Sequence, residues 1–476
     1  MSCPRRKSVS SFRGWPSTRG AESAQVPPTP SLPDPRQPLF LTPLINNCSY
    51  AEAKSQSQVQ IFKYYNITNA SAYSGYITVN ETTGSNLFFF FVEAENDPDK
   101  APLMLWTPGG PGLSALFAML LQNGPAEFRA DGNLSRREVT IQKNMNVIYL
   151  DAPVGAGLSF TQNITGFATK MEDITRDILE FLKQFLQLFK EYENRDFYAS
   201  GDSYAARYSV ALAYDMLNNP SEVVPLKFQG VVGGAGFLAP IFNLSDSSDF
   251  LLQMSMLNQE GYAQFKPRFD IMRKLSEEKN ITAVKLLLTT IFASETPDFP
   301  KTLFQNLTLY NSHASPLYTE RPPSMLMSLF LANHSSFKTA IHAGAESTIE
   351  YANMTLLERL MGDAMVDITE KVEYVLNNTR VLFYTGQLDA LFPTPNSQAY
   401  LEKLKWTHSE QYLTASRALW YPYGKEQYDL PISAAGYTKS AGNFTSAVVL
   451  GMGHYAGFDT PNQVCHLVMQ FIDRKI

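Results

Sequence analysis

A serine, an aspartate and a histidine in this chain stand where they could act together as nucleophile, anchor and base. Ser203 lies in Gly201-Asp202-Ser203-Tyr204-Ala205, after the apolar run Phe197-Tyr198-Ala199 and before a helix-like segment at 206–217. A tight strand-to-helix turn of this kind pushes a serine hydroxyl clear of the backbone, and small residues flank it because bulky ones would clash. A hydroxyl is a weak nucleophile at neutral pH and needs a base within hydrogen-bond reach. The base in turn needs a carboxylate to fix its tautomer and stabilise the imidazolium. Asp389 follows the run Val381-Leu382-Phe383-Tyr384, in Gly386-Gln387-Leu388-Asp389; His454 follows Ala447-Val448-Val449-Leu450, in Gly451-Met452-Gly453-His454. Of the six histidines only His454 has this strand-then-glycine setting. His313, His334 and His408 lie in polar stretches, His342 in an Ile-His-Ala-Gly segment, and His466 in an expected terminal helix.

Acyl chemistry also needs two amide N–H groups aimed at the developing oxyanion. One is expected from Tyr204 at the start of the helix, the other from the loop Thr107-Pro108-Gly109-Gly110-Pro111-Gly112, where glycines let backbone approach substrate. That loop lacks the G-K-[ST] of a phosphate-binding loop. No spacing of His, Cys or carboxylates suggests a metal site, and no cofactor is implied.

The elements that must position these groups follow a repeating rhythm of apolar run, Gly/Pro-rich loop and amphipathic helix. Residues 74–79 and 86–92 read as a hairpin, and runs at 103–106, 147–150, 197–199, 231–232, 381–384 and 447–450 as central strands of a mostly parallel sheet. Ile174, Ile178, Phe181, Leu182, Phe185 and Leu188 form one helical stripe that faces the core. Strands alternating with helices give an α/β class with crossovers. The expected division is a disordered tail at 1–36, core at 37–240, an inserted helical cap at 241–365 where the rhythm breaks, and core again at 366–476.

Composition narrows the function classes. The chain has 476 residues, 44% hydrophobic, and a net charge of −6 with no basic stripe, which argues against nucleic acid as a partner. No run of about 18 apolar residues suggests a membrane span. Three cysteines, one of them in the tail, make no disulfide framework. Thirteen N-x-S/T sequons, from Asn47 to Asn443, favour the secretory route, although residues 1–36 carry no apolar signal segment.

Taken together, the motifs resemble the serine carboxypeptidase family, with the vitellogenic-carboxypeptidase-like animal members nearest in pattern. The resemblance rests on residues 40–44, 105–112, Asp151-Ala152-Pro153-Val154-Gly155, 197–205, Tyr384-Thr385-Gly386-Gln387-Leu388-Asp389, and Gly453-His454 with Asp459 and Pro461, in the family's order. It implies an α/β-hydrolase fold with an inserted cap and no cofactor. It also implies a secreted or lysosomal glycoprotein, monomer or homodimer, that removes C-terminal residues from peptides or proteins at acidic pH. Ser203, Asp389 and His454 become the triad, Gly110 and Tyr204 the oxyanion donors, and Pro108, Gly109, Gln122, Asp202 and Tyr455 the substrate-binding positions.

The departures from the family pattern fall on those last positions. Pro108 replaces an asparagine whose amide helps hold the substrate carboxylate. Asp202 and Gln122 replace a glutamate pair that shares protons, so the like-charge source of a raised carboxyl pKa is lost. Leu113 stands for a cysteine and Tyr455 for a methionine. Carboxypeptidase action is the leading expectation; ester hydrolysis or acyl transfer, and a binding or storage protein on the same scaffold, are the alternatives.

Overall fold

The apolar runs that mark the sequence become the middle of one large sheet. The computed structural model describes residues 34, 36–129, 133–218, 224–296, 299–350, 353–422 and 434–476. The tail expected at 1–36 lies outside them, apart from Asp34 and Arg36. In chain order the strands are β1 (Ala72–Asn80), β2 (Ser85–Val92), β3 (Leu103–Thr107), β4 (Ala126–Phe128), β5 (Leu134–Arg136), β6 (Asn146–Leu150), β7 (Asp196–Asp202), β8 (Lys227–Gly234), β9 (Arg380–Gly386), β10 (Ala418–Trp420), β11 (Gly436–Ala441) and β12 (Phe444–Val449).

Ten of them form one sheet in the order β1-β2-β6-β3-β7-β8-β9-β12-β11-β10, while β4 and β5 pair apart. From β6 to β12 all neighbours run parallel, and the pairs at both edges are antiparallel. Every position of β2, β3 and β6 is buried, as expected where helices cover both faces.

Strand periodicity sorts the phenylalanine run of β2 between two cores. Phe89 and Phe91 join the core on one face, Phe88 and Phe90 the core on the other. The helix Met171–Leu188 lays its apolar stripe on the first face, with Phe181 and Phe185 meeting Phe89 and Phe91 at ring distances of 5.5 and 5.1 Å. Each such buried ring contributes about 1.5–3 kcal/mol.

All six runs expected as central strands fall on β3, β6, β7, β8, β9 and β12. The edge strands β10 and β11 and the small β4–β5 pair were not expected. Between β8 and β9 the described elements are helical, among them Gln259–Glu277, Thr282–Thr290 and Pro323–Ala332. No helix of the described residues is long and apolar enough to cross a membrane.

Candidate active site

Ser203 is the single residue between β7 and the helix Tyr204–Asn218, and it sits at φ +57°. A left-handed conformation is unfavourable for a non-glycine residue by roughly 1–3 kcal/mol and persists only where the surroundings impose it. Here its N–H donates to the Gly234 carbonyl at 2.8 Å, and its carbonyl accepts from Phe237 N–H at 2.9 Å. The small residues are required by contact: a Cβ on Gly201 would lie 2.6 Å from that of Ala205. One on Gly109 would lie 2.8 Å from the Asp202 carbonyl and 2.9 Å from Ser203 Cβ. The glycine loop after β3 is thereby pressed against the turn that carries Ser203.

Asp389 and His454 leave neighbouring strands, β9 and β12, which pair in parallel up to Val449 and Gly386. Their loops also touch, since a Cβ on Gly386 would run into the Met452 carbonyl. The three side chains close into one hydrogen-bonded chain. His454 Nε2 is 3.0 Å from Ser203 Oγ, and Nδ1 is 2.9 Å from Asp389 Oδ2. Asp389 is fully buried and its Oδ1 accepts from the N–H groups of Leu391 and Phe392 at 2.9 and 2.8 Å. Burial opposes a charge on His454, but the Asp389 carboxylate outweighs it and raises the imidazole above its ordinary pKa.

A cavity of about 200 Å³ opens beside Ser203 and His454, and Pro108, Gly109, Gly110, Gln122, Asp202 and Tyr455 all line it. The residues named for substrate binding thus converge. Gly110 has φ +115°, and the amide of Tyr204, first in its helix, stands 3.4 Å from where a Gly109 Cβ would be. An N–H in a first helical turn has no carbonyl of its own helix to bond. A smaller, apolar cavity of about 60 Å³ also reaches Ser203 and is walled by Phe237, Leu287, Phe292 and Phe392.

The altered carboxyl positions behave differently from the sequence expectation. Tyr384 donates its hydroxyl to Asp202 Oδ1 at 2.8 Å, while the Gln122 amide is directed to the Tyr455 carbonyl at 3.2 Å. Burial raises the Asp202 carboxyl to about 6 against the pull of Tyr384 and Gln122. The raised pKa survives without a second carboxylate because desolvation supplies it.

Three charged or titratable residues of this cavity had no functional assignment from the sequence: Glu295, His313 and Arg321. Glu295 Oε1 accepts from the hydroxyls of Ser312 and Tyr455, each at 2.6 Å, and Oε2 pairs with Arg321 Nη2 at 3.0 Å. Burial alone would raise Glu295, but His313, Arg321, Ser312 and Tyr455 hold it at about 2. His313, which lies in a polar stretch of the sequence, is buried against Ser294 Oγ at 2.6 Å, and burial pushes its pKa down. No motif could have marked these groups, because only tertiary folding brings 295, 313 and 321 to the cavity. Among the described residues no cluster of His, Cys, Asp or Glu could hold a metal ion.

A parallel sheet with a strained serine turn after one strand, and an acid and a base on loops after two later strands, defines an α/β-hydrolase. Comparison with known proteins narrows the class. The chain belongs to the serine carboxypeptidase family, whose model matches residues 64–474. It is 32% identical to the venom serine carboxypeptidase of Apis mellifera over 92% of this chain and 91% of that one. It is 29% identical to the vitellogenic carboxypeptidase of Aedes aegypti over 92% and 90% of the two chains. Its fold is shared with the Saccharomyces cerevisiae prohormone-processing carboxypeptidase Kex1, at a TM-score of 0.69 and 18% identity, covering 89% of this chain and 96% of the other.

Proposed function

We propose that this chain is a serine carboxypeptidase that releases C-terminal residues from peptides through an acyl-enzyme formed on Ser203. The observation that carries the reading is the hydrogen-bonded chain Asp389–His454–Ser203 at the edge of a cavity that also holds the altered carboxyl positions. In the first half-reaction His454 Nε2 takes the Ser203 proton as Oγ bonds to the last peptide carbonyl. Asp389 steadies the imidazolium, and the amides of Gly110 and Tyr204 receive the oxyanion. Collapse of the tetrahedral adduct breaks the C–N bond, and His454 returns the proton to the departing amine. Water then attacks the ester by the same route in reverse order and frees Ser203.

The helical stretch 241–365 serves as the cap, supplying Leu288, Phe292, Arg321 and Met325 to the cavity. Passage through the secretory route is supported by the sequons: Asn47, Asn66, Asn69, Asn163, Asn243, Asn280, Asn306, Asn377 and Asn443 are exposed.

The test uses a blocked dipeptide as free acid, amide and ester from pH 4 to 8. Ser203-dependent turnover with preference for the free acid is the expected result, and Ser203→Ala lowers kcat on the order of 10⁴–10⁶-fold. Cleavage of the ester alone would move the reading to esterase or acyltransferase, and unchanged turnover in Ser203→Ala would remove Ser203 from the mechanism.

A further inference from the structure

The cavity beside Ser203 also carries a charge pair that the catalytic chain does not use. Arg321 is the one lysine or arginine among the residues lining the cavity, and its side chain is 21% exposed. Its Nη2 meets both Glu295 Oε2, at 3.0 Å, and the Glu295 carbonyl, at 3.2 Å. Glu295 is held in turn by Ser312 and Tyr455. Tyr455 follows His454 directly and joins two parts of the wall: its carbonyl accepts from Gln122, and its hydroxyl donates to Glu295. The wall therefore runs without a break from the base, past the altered carboxyl positions, to the guanidinium.

We infer, resting on the carboxypeptidase reading above, that Arg321 receives a carboxylate of the departing residue, with Glu295 and Tyr455 as the positioning residues that aim it. Two departures from the family pattern then belong to one exchange. Pro108 removes a donor from the cavity lining, and Tyr455 adds the hydroxyl that braces a cation there. A guanidinium carries five N–H donors in a planar fork, a geometry suited to bidentate contact with a carboxylate. Glu295, with its pKa held far below neutrality, stays ionised and keeps the fork in place across the working pH range. The carboxylate has two sources, the α-carboxylate of the last residue or an acidic side chain on it.

Calorimetry on the Ser203→Ala protein would separate them. The probes are a blocked dipeptide ending in leucine, as acid and as amide, and the acids ending in glutamate and glutamine. Adding Arg321→Met is expected to weaken the leucine acid about 10- to 100-fold and the amide less than about threefold, the size of a charge-assisted hydrogen bond. Arg321→Lys should recover part of the loss. Loss confined to the glutamate peptide assigns the carboxylate to the side chain and keeps Arg321 as its receiver. No loss, or equal loss for acid and amide, overturns the inference.

Because Arg321→Met strands a buried carboxylate, the double variant Glu295→Gln with Arg321→Met, checked by thermal unfolding, distinguishes a lost ligand from a lost fold. In the enzyme with Ser203 intact the same change should fall on KM rather than kcat. Absence of Ser203-dependent turnover in the unaltered enzyme would sink the carboxypeptidase reading, while the binding arms would still judge Arg321.

Discussion

Asp202 is the last residue of β7, precedes the proposed nucleophile Ser203 and lines the cavity, so on the proposed function its protonation state bears on substrate binding. Its carboxyl titrates at about 6 because it is buried, with Tyr384 as its hydroxyl donor. Below that pH the group is neutral and able to donate a hydrogen bond to a substrate carboxylate; above it, a second negative charge repels the same carboxylate. KM for free-acid peptides should therefore climb as pH rises through 6, while KM for ester substrates stays flat. In Asp202→Asn the inflection should vanish; its survival would assign the titration to another group. His454 pulls the other way, since a base with a raised pKa loses kcat as the medium becomes acidic. The two limbs enclose a bell-shaped profile for kcat/KM.

The elements around Ser203 are fixed by contacts whose removal can be read as lost stability. Asp363 accepts the Tyr204 hydroxyl at 2.9 Å and pairs with Arg207 at 3.4 Å, both partners being almost wholly buried. That brace ties the helix Tyr204–Asn218 to the segment leading into β9. Asp363→Ala leaves the Arg207 guanidinium buried without its carboxylate, which should cost about 3–5 kcal/mol in chemical denaturation. Gly109→Ala pushes on the serine turn itself and should lower kcat at least about 100-fold, as small misplacements at a reacting centre do.

The six parallel strands, and the three residues proposed as the triad, were legible in the sequence because Ser203, Asp389 and His454 each follow a short apolar run. Such runs mark buried central strands independently of what packs on them. The edges were not legible. β11, Gly-Tyr-Thr-Lys-Ser-Ala, is half exposed and carries no continuous apolar run, and β10 is only three residues long. Glu295 and Arg321 were silent for a different reason. Each is an ordinary charged residue in no recognisable motif, and its meaning lies in a partner 26 positions away.

Across the whole molecule the buried acids set the pH at which the fold is strongest. Asp151 titrates at about 7 and Asp177, Asp202 and Asp459 at about 6, each raised chiefly by burial. A raised carboxyl binds its proton more tightly in the folded chain, so the stability it lends is complete below the unfolded pKa of about 4 and fades as pH rises through 6 to 7. Glu295, held at about 2, does the opposite and gives up its contribution as pH falls below the unfolded value of about 4.5. On these five groups melting temperature should therefore be highest near or below about pH 4 and fall as pH rises from there to about 7; a maximum at or above neutrality would contradict this.

Glycan placement should follow the same surface. Asn333 exchanges hydrogen bonds with Ile349, and Asn353 caps a helix while donating to the Gly155 carbonyl. Mass spectrometry of enzymatically deglycosylated protein from a secreting host should find those two unmodified and exposed sites such as Asn163 and Asn306 occupied. The order of the sheet has one more consequence. Ser203 is made early, yet its base arrives only when β12 slots between β9 and β11, after most of the chain exists. Until β12 is in place the Ser203 hydroxyl stands without the imidazole that meets it, so the contact waits on a residue 251 positions further along the chain.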